Sequence, residues 1–268
     1  MTTNAREVVL DEVFGRLNTM NRGTADAAVV SYLRYAPTGA RPFLALADDG
    51  RNYWVKVKDN PHGNKTLANE YVVWALGMHI GAPMLNAALL SIPTELDGFT
   101  YCDEVKLREG VAFGSLHLAS AVEGESVAFV KEDGNMERYP FMLALWDLCL
   151  GADMQVLYDT SKANQVSSFD HGLWFSSDEG DWDADVLTRL AEGKWHWPAA
   201  PLGLSGRAFH EAADALTDLS LDDTLNIVSG VPLEWEIQSN DLEALAWFVA
   251  KRAPIVATRL RQAAQAYS

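Results

Sequence analysis

The stretch Phe43-Leu44-Ala45-Leu46-Ala47-Asp48-Asp49-Gly50-Arg51-Asn52-Tyr53-Trp54-Val55-Lys56-Val57-Lys58 decides the fold. Two runs rich in apolar and aromatic residues flank Asp48-Asp49-Gly50, residue types that suit a tight turn, so the stretch predicts a β-hairpin. In the second run Tyr53, Val55 and Val57 alternate with Trp54, Lys56 and Lys58. A strand sends alternate side chains to opposite faces, so one face is apolar and the other carries both lysines. A loop over residues 59–64 follows. Residues 66–79 then carry Leu67, Tyr71, Trp74, Ala75 and Met78 on one helical stripe. Gly81-Ala82-Pro83 supplies the stop.

Outward from this unit, residues 27–33 and 43–47 read as strands, joined by a loop containing Pro37, Gly39 and Pro42. Residues 7–17 read as an amphipathic helix, and Gly23 sits in a turn-rich stretch after it. Downstream, residues 87–92, 99–107 and 112–120 read as further strands. Beyond Gly124 the character changes. Residues 139–150 are strongly apolar and helical, residues 156–159 and 166–170 form two short strands, and the remainder is mostly helix, over 182–191, 205–216, 221–229 and 241–265. The order predicts an α+β protein of two lobes. Residues 1–123 form an antiparallel sheet with one main helix, and residues 124–268 form a mostly helical second lobe.

The 268 residues are enough for two lobes sharing a cleft. Hydrophobic residues make up 49% and charged residues 22%, ordinary for a globular protein. No apolar run approaches the length of a membrane span. The first residues carry Arg6, Glu7, Asp11 and Glu12 rather than the apolar stretch of a secretory signal, so the expectation is a cytoplasmic protein. The net charge of −16 repels phosphate backbones and anionic membranes, so neither nucleic acid nor membrane is an expected partner. A nucleotide remains compatible, because one lysine, a loop of backbone N–H groups and a metal ion hold it locally. Cys102 and Cys149 form no paired motif and read as buried thiols.

Several chemistries are excluded by pattern. The six histidines are scattered, and His210-Glu211 lacks a second histidine at zincin spacing. No Gly-x-Ser-x-Gly elbow occurs. Gly63-Asn64-Lys65-Thr66 departs from a Walker A loop, since Asn64 separates glycine from lysine and the earlier glycine is missing; it reads as a surface loop. Seven of the nine tryptophans fall in the second half, where core packing accounts for them; Trp195-His196-Trp197-Pro198 in a loop is the exception, and could face a partner.

One set of residues stands in a telling order: a glycine turn at Gly23-Thr24, Lys56 on a strand, Glu70 on the following helix, Asp153 after the apolar helix, and Asp170 before His171-Gly172. Phosphoryl transfer uses this inventory. A lysine neutralises phosphates, a helix glutamate holds the lysine, one aspartate receives the hydroxyl proton, and a second aspartate with an amide side chain holds Mg²⁺. Singly, each reads as a surface charge or a turn residue; the order raises them together.

The same residues resemble the HipA-like kinases. The resemblance is carried by Tyr53-Trp54-Val55-Lys56-Val57-Lys58, Asn69-Glu70-Tyr71, Gly81-Ala82-Pro83, Phe113-Gly114-Ser115, the helix ending Leu145-Trp146-Asp147-Leu148-Cys149-Leu150-Gly151, Ser168-Phe169-Asp170-His171-Gly172 and Val231-Pro232-Leu233-Glu234-Trp235. It implies a two-lobed protein kinase-like fold, shared with phosphatidylinositol kinases, with ATP and Mg²⁺ as cofactors. It further implies transfer of the γ-phosphate to a hydroxyl, by analogy a protein Ser or Thr. Lys56 would contact phosphate, Glu70 would hold it, Asp153 would be the catalytic-loop aspartate and Asp170 the metal ligand. Gly23 and Thr24 would cover the phosphates, and the backbone from His117 to Ala121 would read adenine. An antitoxin-like protein is the partner the family suggests, as in toxin-antitoxin pairs. One departure matters. Where the family has Asp-Arg-His and a later Asn, this chain reads Asp153-Met154-Gln155-Val156, which puts Gln155 at the metal-binding amide position. The alternative is therefore a pseudokinase, a nucleotide-binding or protein-interaction module with a degenerate catalytic loop.

Overall fold

In the computed structural model, strands β2 (Phe43–Ala47) and β3 (Asn52–Lys56) pair antiparallel, with Leu44 opposite Trp54 and Phe43 opposite Val55. The structure describes residues 13–102, 105–176, 182–198 and 203–267. Most of the helix expected over 7–17 lies outside them; the described part, from Val13, is a turn leading into a short 3₁₀ turn at Leu17–Thr19.

The hairpin is the middle of a five-stranded barrel with the order β1-β2-β3-β7-β4. Its other strands are β1 (Ala27–Tyr35), β4 (Ala87–Ile92) and β7 (Gly110–Leu116). The lobe was expected to be antiparallel throughout. Instead the barrel closes through a parallel pair, Ala27 opposite Leu90 and Ala28 opposite Ser91, because a helix intervenes between β3 and β4 and returns the chain in β1's direction. Val29, Phe43, Val55, Leu90 and Leu107 fill the interior. Residues 99–107 are not one strand but β5 (Thr100–Cys102) and β6 (Val105–Lys106) folded on each other.

Helix α1 (Lys65–Ile80) is the helix read from residues 66–79. The predicted stripe was too narrow. Leu67, Val72, Val73, Leu76 and Ile80 are buried while Met78 is half exposed, because the helix is wedged between the barrel and the helical lobe. Gly81 ends it in the left-handed conformation at φ 80°, which costs glycine nothing.

The second lobe begins with a small sheet in the order β10-β9-β8, from β8 (Ala121–Gly124), β9 (Val156–Asp159) and β10 (Gln165–Ser168). Around it stand α2 (Asn135–Leu148), α3 (Ala184–Leu190), α4 (Gly206–Thr217), α5 (Leu221–Ser229) and α6 (Ser239–Ala264). Trp182, Trp235, Phe209 and Phe248 are fully buried in this body. A charged cluster fixes the last helix. The carboxylate of Asp147, wholly buried, accepts from Arg252 at 2.9 Å, from Arg259 and from Trp197 Nε1 at 2.8 Å. Arg252 also caps the end of α3 through the carbonyls of Leu190 and Gly193. Cys102 and Cys149 are free, buried thiols.

The lobes are stitched together behind the cleft. The Val111 N–H donates to Glu234 at 2.7 Å, and the Val111 carbonyl accepts from Trp235 Nε1 at 2.7 Å. Arg22 Nε donates to the Val231 carbonyl at 2.9 Å, and the Gly23 N–H to the Ser229 carbonyl at 3.2 Å. Glu243 of α6, also buried, receives the Gly15 and Leu17 N–H groups. Among the described residues no helix is long and apolar enough to cross a membrane.

Candidate active site

Between the barrel and the β8–β9–β10 sheet runs a cleft of about 570 Å³. Lys56, at the end of β3, enters it from the barrel. Asp153 and Gln155 enter just before β9, and Phe169 and Asp170 just after β10. Pairing of β9 with β10 thus sets the loops before and after this hairpin side by side at the cleft, where the Phe169 N–H donates to the Gln155 carbonyl at 3.3 Å.

The Lys56 ammonium is held between two carboxylates. It bonds Glu70 Oε1 and reaches Asp170 Oδ1 at 2.6 Å. Glu70 is 1% exposed, and its second oxygen accepts the His171 N–H at 3.0 Å. Burial alone would lower the Lys56 pKa, but Glu70 and Asp170 outweigh it and hold the ammonium above its ordinary value. Burial would likewise raise Asp170, but Lys56 outweighs that and holds it below the usual carboxylate range. For Glu70 burial dominates, pushing its carboxyl up against the pull of Lys56. Charged side chains sit in such a site only with partners at hydrogen-bond distance.

Asp153 is exposed to the cleft, and Gln155 Nε2 donates to its Oδ1 at 3.1 Å. That leaves the Gln155 carbonyl oxygen as the acceptor end of the amide. Asp153 and Asp170 both adopt left-handed backbone, at φ 50° and 57°. Non-glycine residues there store backbone strain, which concentrates at functional sites. The pre-Asp153 turn is braced by Trp195, whose Nε1 donates to the Gly151 carbonyl at 2.7 Å; Trp195 and Trp197 are half-buried against the core, while His196 between them is exposed.

His171 is fully enclosed. Its Nε2 meets Ser168 Oγ at 2.9 Å and its ring stands edge-on to Trp174 at 4.7 Å. Burial pushes its pKa down to about 3, so the ring is neutral. Asn69, one residue before Glu70, donates to the carbonyls of Gly172 at 2.7 Å and Trp174 at 3.1 Å. Asn69 fixes the Asp170 loop on α1 through contacts about a hundred residues away, and His171 steadies it locally, roles that the motifs containing them did not reveal in sequence.

Gly23 and Thr24 do not lie over the cleft. A Cβ on Gly23 would sit 1.9 Å from the Gly230 carbonyl oxygen, so this glycine is required by close packing behind the site. The segment that overhangs Lys56 is the β1–β2 connection, with Thr38, Gly39 and Ala40 lining the cleft. The His62 ring packs against Gly39, and Thr66 at the start of α1 joins the lining, so the loop read as plain surface borders the site. His117 does line the cleft, with its ring edge-on to Trp54 at 6.1 Å.

Among the described residues no group of three or more His, Cys, Asp and Glu gathers as a self-contained metal site. One carboxylate and one amide, Asp170 and Gln155, suit a hard divalent cation that takes its remaining ligands from nucleotide phosphates and water.

No curated relative matches the chain. Among solved structures, the Helicobacter pylori proinflammatory kinase CtkA superposes with a TM-score of 0.56 at 11% identity, covering 93% of this chain and all of that one. A Golgi casein kinase aligns over 98% of this chain and 75% of its own, at 10% identity and a TM-score of 0.47. The likeness to CtkA shows the two-lobed kinase-like fold. The family profile described as HipA-like kinase matches residues 30–259, and the chain belongs to the HipA-like kinase family.

Proposed function

We propose that the protein transfers the γ-phosphate of ATP to a hydroxyl, that of a protein Ser or Thr. The observation that carries this reading is the Lys56 ammonium suspended between Glu70 and Asp170 beside the exposed Asp153. Lys56 contacts phosphate oxygens and Glu70 keeps it pointed at them. Asp153, solvent-open and steadied by Gln155, accepts the proton of the acceptor hydroxyl. Asp170 and Gln155 would hold Mg²⁺, which supplies charge neutralisation between the phosphates. Thr38–Ala40 cover the phosphate end, and His117 with the residues after it borders the base. Most of the rate then comes from positioning and fixed charge. The lobe division belongs to the same reading, with the boundary read at residues 123 and 124 moved to just before β8, because Ala121–Gly124 pair with β9 and not with the barrel. A protein acceptor or an antitoxin-like chain is the partner this reading calls for.

The test is transfer of labelled phosphate to a generic protein acceptor and to the protein itself, with Asp153→Asn and Asp170→Asn. Removal of a general base lowers the rate by roughly 10²–10⁴-fold. Undiminished transfer by both variants would refute the assignment. The short Asp153-Met154-Gln155 loop, without the arginine and histidine of the family, favours a second reading, a pseudokinase. It is distinguished by metal-dependent ATP binding without transfer to any acceptor.

A further inference from the structure

The β1–β2 turn that roofs the cleft meets the loop between β3 and α1 at His62. A Cβ on Gly39 would lie 2.5 Å from both Cε1 and Nε2 of His62, so one edge of the imidazole rests on bare backbone and the contact requires a glycine. The two sides of this contact are built differently. His62 stands on a braced loop. Asn60, 4% exposed, donates from Nδ2 to the Val57 carbonyl at 3.0 Å and to the Gly63 carbonyl at 3.3 Å, and its Oδ1 accepts the His62 N–H at 2.9 Å. Asn64 Oδ1 accepts the Asp59 N–H at 2.7 Å, and Thr66 Oγ1 donates to the Gly63 carbonyl at 2.7 Å. A buried amide satisfied at both ends holds the backbone around it in one conformation. The same loop abuts the Asp170 loop, since a Cβ on Gly172 would lie 3.4 Å from Thr66 Cβ and 3.3 Å from Glu70 Oε1. His62 is therefore carried by the block that also holds Glu70 and Asp170.

The roof turn has less to hold it. The Arg41 N–H closes it onto the Thr38 carbonyl at 2.9 Å, the Ala36 N–H donates to the Pro42 carbonyl at 2.8 Å, and Tyr101 Oη donates to the Arg41 carbonyl at 3.0 Å. These bonds lie within the turn or at its base. Thr38 and Gly39 are exposed, and among the described residues no hydrogen bond runs from Gly39 or Ala40 to another element. A turn tied at its base, with a glycine at its tip, has wide conformational freedom. The His62 ring is a fixed stop for that tip. A covering turn adds affinity when it need not be ordered at the moment of binding.

We propose that His62 is a positioning residue that sets the roof turn over the nucleotide phosphates, by packing its ring on the bare backbone of Gly39. The inference rests on the nucleotide-site reading above. The ring acts by shape and contact, and Gly39 is the other half of the latch.

The test is calorimetric titration of ATP with Mg²⁺ into the full chain and into His62→Ala, His62→Phe, Gly39→Ala and the double variant Gly39→Ala/His62→Ala, with the melting temperature confirming the fold of each. Both positions are exposed, so all four variants should fold. His62→Ala and Gly39→Ala should each weaken ATP binding by about five- to tenfold, the first by removing the stop and the second by pushing the ring away. His62→Phe keeps a flat ring and should stay within about threefold of wild type. The double variant should bind within about twofold of either single one, because the two changes break the same contact. Wild-type affinity in His62→Ala would overturn the latch and leave the nucleotide site standing. A loss in His62→Phe as large as that in His62→Ala would overturn packing as the means, and losses that multiply in the double variant would overturn the pairing with Gly39. No binding of ATP by wild type would overturn this inference together with the proposed function.

Discussion

His171 should make the protein acid-sensitive by an amount set by its burial. The side chain is 2% exposed, tied to Ser168 and packed edge-on against Trp174. Burial pushes its pKa from 6.5 to about 3, with Asp170 opposing that shift. Below pH 6.5 the unfolded chain therefore takes up a proton that the folded chain refuses. A depressed folded pKa gives stability that is complete above the unfolded value and lost as pH falls towards the folded one. Each pH unit in that window is worth about 1.4 kcal/mol, so lowering the pH from 6.5 to about 4.5 should remove roughly 2–3 kcal/mol through this residue. The assay is urea unfolding across that range for wild type and His171→Gln, since glutamine can still bond Ser168 and does not titrate. The stability difference between the two should move in favour of the variant by about that amount as pH falls. Parallel curves would refute the reasoning.

Other perturbations follow from the same contacts. Glu70→Gln should lower phosphate transfer by about 10²-fold while leaving the melting temperature within a few degrees, because the neutral amide avoids burying a carboxylate but no longer fixes Lys56; unchanged transfer would refute its role. Arg252→Ala strips Asp147 of one of its two cationic partners and uncaps α3, and should cost about 3–5 kcal/mol in denaturant unfolding. Gly23→Val should destabilise the fold by clashing with Gly230 without altering nucleotide affinity, whereas Gly39→Val, which displaces His62 at the cleft roof, should weaken affinity with little loss of stability. Equal effects of the two valine variants on affinity would refute the placement of both loops.

The elements that were legible are those written locally. Asp48-Asp49-Gly50 between two strand-like runs gave the hairpin, alternation gave the lysine face, and Gly81 gave the end of α1. Lys56, Glu70 and Asp170 were read from their order, and the structure brings the three side chains into contact. The Gly23-Thr24 placement failed for a physical reason. A glycine turn ahead of the first strand looks like a phosphate loop in one dimension, but β1 runs on to Tyr35, so the overhanging turn is the next one, at Thr38–Ala40. The glycine at 23 answers to Gly230, a neighbour that no local pattern reveals. The same holds for Asn69, Trp195 and Glu243, whose partners lie 44 to 228 residues distant in sequence and carry no periodic signature. Parallel closure of the barrel was hidden for a related reason, since strand alternation encodes which face is buried and not which strand lies beside it.

The anchoring of α1 has a consequence for control. Lys65 reaches Asp241 of α6 at 3.0 Å, Asn69 holds two carbonyls of the Asp170 loop, and Glu70 receives the His171 amide. A helix pinned over its first two turns to the opposite lobe holds Glu70 against Lys56 through the folding of the chain itself, without a further ordering step.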